Sequence, residues 1–131
     1  MNAKELYPQD GHYISFGDYN PIIKSFGNVV VQVDDSDYQG DSRILYNEGG
    51  KIGYLKFGWG SCSGCDALQA CNTYADVDQL IGELRDQVIW FDTPAECLAW
   101  FENHDWAGDY DWHSEETKSF IEQVKTYLVS L

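Results

Sequence analysis

The sequence predicts an α+β domain: an antiparallel sheet of three to five strands with two or three helices packed on it. Three observations carry this expectation. Three β-branched or aromatic stretches lie between residues 29 and 57, separated by short polar or glycine turns. Amphipathic helical patterns fill much of the C-terminal half, and one further strand-like run sits between two of them.

Residues 1–27 mix Pro8, Gly11, Gly17, Pro21 and Gly27 with Tyr7, Tyr13, Phe16, Tyr19 and Phe26 and show no period. They read as extended segments and turns, with one short strand at 12–16. Val29-Val30-Val31-Gln32-Val33 is the first clear strand, closed by the polar cluster Asp34-Asp35-Ser36-Asp37. Arg43-Ile44-Leu45-Tyr46 and Ile52-Gly53-Tyr54-Leu55-Lys56-Phe57 follow, joined by Asn47-Glu48-Gly49-Gly50. The paired glycines are free to take positive φ, so this joint reads as a hairpin and the three strands as a meander.

Val77, Leu80, Ile81 and Leu84 recur at i, i+3, i+4 and i+7, with Thr73 or Asp76 available as a cap, which predicts a helix. Gln87-Val88-Ile89-Trp90-Phe91 reads as a short buried strand. Thr93-Pro94-Ala95-Glu96 is a helix start, with Thr at the cap, Pro in the first turn and Glu three residues on. That helix runs to about Asn103 with Cys97, Leu98 and Phe101 inward and Trp100 at its margin. A last helix opens at Ser114 and buries Phe120, Ile121, Val124, Tyr127, Leu128 and Leu131, with Glu115 and Glu116 at the positive end of its dipole. At 131 residues the chain is expected to form one domain, 1–131, with a single core.

The net charge is −14, from 22 acidic and 8 basic residues. It is uneven, because Arg85 is the one basic residue between Lys56 and Lys118 while thirteen acids fall there. Such a field repels nucleic acid and anionic membranes and hastens encounter with a basic surface. The expected partner is therefore a basic protein surface, not nucleic acid and not a membrane. No run approaches the roughly 20 apolar residues of a membrane helix, and the first residues lack a signal-peptide pattern, so a cytoplasmic location is expected.

Residues 58–71, GWGSCSGCDALQAC, collect three of the four cysteines. Two thiolates spaced as Cys62-x2-Cys65 can grip one ion, and Cys71 with Cys97, or one of His104 and His113, would complete a tetrahedral zinc site. Zinc is the one cofactor these residues suggest, as a structural module. The same Cys62 and Cys65 would serve a cysteine-dependent enzyme, although the acidic surroundings oppose a low thiol pKa and no arginine stands where a phosphate loop needs one. The plainer alternative is a glycine bend whose small thiols fill space against the sheet. No catalytic residue is singled out.

Residues 102–116 alternate acids with large aromatics. Glu102, Asp105, Asp109, Asp111, Glu115 and Glu116 stand beside Trp106, Tyr110 and Trp112. Rows of carboxylates imitate the phosphate spacing of nucleic acid, and exposed aromatics anchor protein contacts, so these nine residues form a candidate partner-binding face. Solvated loop acids beside rings that cover the core edge would have the same composition. Asp34, Asp35, Asp37 and Asp41 miss the frame of a calcium-binding EF-hand loop.

The block YLKFGWGSCSGCDALQAC, followed by an acidic helix and VIWFDTPAECLAWF, resembles a motif of uncharacterised small acidic proteins of bacteriophages and prophages, over about residues 40–103. The resemblance implies no activity or catalytic residue. It implies a context: a phage-associated accessory protein that acts on host functions. With the charge, it leads to the expectation of a non-enzymatic protein that occupies the nucleic-acid groove of a host nuclease or defence protein.

Overall fold

The computed structural model describes residues 2–7, 19–36, 40–60, 66–106 and 114–131. Among them the sheet has four antiparallel strands in the order β1-β2-β3-β4: β1 Val29–Asp34, β2 Gly40–Glu48, β3 Lys51–Trp59 and β4 Ile89–Phe91. The β2–β3 hairpin turns on Gly49 and Gly50, both at positive φ, and the Asn47 side chain accepts the Gly50 N–H at 2.9 Å. This is the meander expected from the three strand runs. The short strand expected at 12–16 lies outside the described residues.

Five helices accompany the sheet among the described residues: α1 Ala3–Leu6, α2 Asn20–Ser25, α3 Tyr74–Gln87, α4 Pro94–Asn103 and α5 Ser114–Val129. The three long ones follow their apolar periods, except that on α5 Phe120, Val124 and Leu128 are buried, Ile121 and Tyr127 half-buried, and Leu131, past the helix end, is exposed. Thr73 and Asp76 form a reciprocal capping box on α3. On α4, Thr93 caps the Glu96 N–H and Glu96 reaches back to the N–H of Asp92. The two short helices correct the reading of the N-terminal region as extended chain. Each has a local cause, a capping box between Asn2 and Glu5 for α1 and Pro21 in the first turn for α2.

The sheet is covered on both faces. Ile44, Tyr46, Leu55 and Phe57 face a cluster with Ile22 and Ile23 of α2 and Val77, Leu80, Ile81 and Leu84 of α3. Leu45, Ile52 and Tyr54 face the opposite cluster, with Cys97 and Phe101 of α4 and Phe120, Val124 and Leu128 of α5. Two layers of apolar contact therefore replace the single core expected from length. This is why Ser42 to Tyr46 and Ile52 to Leu55 are buried without interruption instead of in alternation.

Strand β4 departs from expectation in another way. It starts after α3, which takes Gln87, and it is an edge strand with Ile89 and Trp90 each 41% exposed. The run is buried only in part: Val88 and Phe91 enter the two opposite layers, while Ile89 and Trp90 stay at the edge.

Candidate functional site

The candidate site grows from helix α4. Its inward residues Cys97 and Phe101 anchor it on the sheet, where Tyr54 gathers Phe101 (5.2 Å between ring centroids), Phe120 (5.6 Å) and Trp100 (5.7 Å). Trp100 is only half-buried. His104, one turn on, stacks on its ring at 4.4 Å and 16°, and Trp106 meets His104 edge-on at 4.5 Å. Trp106 donates its indole N–H to the Phe101 carbonyl at 2.7 Å, which fixes the end of the cluster.

Beside these rings lies an open cleft of about 630 Å³, lined by Phe91, Glu96, Trp100, Asn103, His104 and Asp105. Its floor is aromatic and its rim carries the exposed carboxylates Glu96 and Asp105. Aromatic faces attract cations through their quadrupole, and carboxylates add Coulomb attraction of the same sign. The arrangement suits a lysine or arginine side chain.

Of the nine residues proposed from sequence for a partner-binding face, Glu102, Asp105 and Glu115 are exposed, and Trp106 and Glu116 half-buried. Asp109, Tyr110, Asp111 and Trp112 lie outside the described residues. Asp105 and Trp106 adjoin the cleft, whereas Glu115 and Glu116 belong to the first turn of α5. Glu96 and His104 were not among the nine, and Trp100 was placed only at a helix margin. The signal for them was the i, i+4, i+8 spacing of Glu96, Trp100 and His104, which aligns them along one side of α4 and its exit.

The acids are not gathered on one side. Asp76, Glu83 and Asp86 are exposed on α3, across the sheet from Glu96, Glu102 and Glu115. Asp35 is a buried partner of Arg43, and Asp37 lies outside the described residues.

Cys62 and Cys65 also lie outside the described residues, which resume at Asp66. The buried Asp66 carboxylate accepts the N–H of Gly60 (3.0 Å), Leu68 (2.9 Å) and Gln69 (3.1 Å) and the hydroxyl of Tyr19 (2.8 Å). Cys71 packs with the α2/α3 layer, and its thiol is pushed up by partial burial and by Asp76, Asp66 and Glu83. Cys97 is fully buried in the opposite layer, where burial pushes its thiol up to about 12.

Of the four cysteines suggested for zinc, Cys71 packs with the α2/α3 layer and Cys97 lies in the opposite one, with the sheet between them. Among the described residues, no three His, Cys, Asp or Glu side chains form a group that could hold a metal ion. Neither described thiol has the electropositive surroundings of a reactive cysteine. No helix of the described residues is long and apolar enough to cross a membrane.

No protein-family model, curated protein or solved structure matches this chain.

Proposed function

We propose that this protein is a non-enzymatic binding protein that engages a basic surface of a protein partner through the Trp100 cleft and the acidic residues around it. The observation that supports this reading is the Trp100–His104 stack, at 4.4 Å, opening into a cleft rimmed by Glu96 and Asp105. A cation over an aromatic ring at an open site gains about 0.5–1 kcal/mol, and the rim carboxylates give register.

The charge of −14 supports the sign of the partner and a fast, salt-sensitive encounter. Because acids stand on both helical layers, the field steers from every side and the aromatic cleft carries the specificity. The phage resemblance supplies the context of a host target whose nucleic-acid groove the acidic surface occupies in place of phosphates.

The test uses the whole protein, immobilised, with bacterial host lysate passed over it at low and high salt. A basic protein retained at low salt, released at high salt and lost to the triple variant Glu96→Gln, Glu102→Gln, Asp105→Asn is expected. Equal capture by that variant, or no basic protein held at low salt, overturns the reading.

A further inference from the structure

A second cleft has the opposite sign. Its volume is about 560 Å³, and Lys24, Phe26, Gly27, Glu48, Lys51 and Trp90 line it on the α2/α3 side of the sheet. The clefts beside Trp100, Trp59 and Tyr127 are rimmed by carboxylates and carry no lysine. Here Lys24 and Lys51 share one cleft, and Arg85 stands 5.7 Å over the Phe26 ring, so three of the eight cations in the chain collect at this end of the sheet.

The floor of the cleft is built around an absent side chain. Trp90 pairs with Gly53 across β3 and β4, and a Cβ at Gly53 would sit 2.8 to 3.0 Å from three atoms of the indole benzo ring. The indole thus lies flat on the strand backbone with its inner face covered. At 41% exposure it presents the outer face to the cleft. Glu48, the carboxylate lining the cleft, is engaged by the backbone N–H of Asn28, and Lys51 stands 3.8 Å from the carboxylate of Asp92, an exposed pair that an incoming anion would displace.

We propose that this cleft is a binding site for a planar aromatic ring that carries a negative charge, the ring stacked on Trp90 and the anion held by Lys24 and Lys51. A planar ring stacks favourably on an indole face, and the volume lies within the range of small-molecule sites. Both a nucleotide and an aromatic carboxylate present this chemistry. The site lies across the sheet from the Trp100 cleft and does not depend on the partner proposed there.

The test titrates the labelled protein with adenosine 5′-monophosphate and, separately, with indole-3-acetate, following the indole N–H resonance of Trp90. Adenosine and inorganic phosphate serve as the ring-only and anion-only probes. Saturable movement with at least one aromatic anion is expected, weakened roughly tenfold or more in adenosine, in phosphate and in the Lys24→Ala, Lys51→Ala variant. Both substitutions fall on exposed side chains, so the fold is retained. Response to only one of the two anions identifies the source. No saturable response to either, or unchanged affinity in the double variant, overturns the proposal.

Discussion

Arg43 donates from Nη1 to Asp35 Oδ1 at 2.8 Å, with the two side chains 1% and 0% exposed. The pair joins the end of β1 to β2, and Asp35 also accepts the backbone N–H of Asp41 at 2.6 Å. Among the described residues, Arg43 Nε and Nη2 have no hydrogen-bond partner. The carboxylate is therefore the main compensation for a buried cation, and removing it strands the charge.

Asp35→Ala and Arg43→Met should each lower stability by about 3–5 kcal/mol, measured by urea unfolding. The double variant should lose clearly less than the sum, because no unpaired charge is left behind. Additive losses would show that the two residues act independently.

Gly53→Ala should cost about 1–3 kcal/mol, since the new methyl group meets the Trp90 ring 2.8 Å away and the ring must lift from the strand. A wild-type urea midpoint for this variant would contradict the flat seating of the indole.

Asp66→Ala removes the acceptor for three backbone N–H groups and the Tyr19 hydroxyl. A loss of about 3 kcal/mol is expected. The same change should speed amide hydrogen exchange at Gly60, Leu68 and Gln69, while the β2–β3 hairpin keeps its protection. Unchanged exchange at those three amides would sink the idea that Asp66 closes the loop.

Cys97 has an ordinary value of 9.0 and is pushed up to about 12 by burial. Its neutral thiol stabilises the fold fully below pH 9, and that contribution is lost as pH climbs toward 12, because the unfolded chain ionises first. Stability should thus fall with rising pH across this window, and less steeply in Cys97→Ala. Tyr46, raised by burial, and Tyr19, raised by burial and its Asp66 bond, act in the same direction from a higher starting value. At pH 8 a thiol reagent should reach Cys97 only on unfolding; prompt modification in the native state would contradict its burial.

The sequence by itself determined the local elements of this protein. The period of Val77, Leu80, Ile81 and Leu84, the caps at Thr73 and Thr93 and the glycine pair at 49 and 50 each act within a few residues of themselves. Strand and helix identity is set at that range, and the long helices and the hairpin stand where those signals put them. The short N-terminal helices were less legible, because one capping box and one proline compete with a turn-rich composition.

Tertiary structure decided what depends on the other side of the sheet. The short apolar run Ile44-Leu45-Tyr46 does not say which elements cover either face of β2, and only the placement of α4 and α5 opposite α2 and α3 separates Cys97 from Cys71. Pairing β4 with β3 at the sheet edge brings Trp90 over Gly53, 37 positions away in the chain. Arg43 finds Asp35 through strand pairing. Such relationships come from strand pairing and layer packing, which no local pattern of residue types encodes.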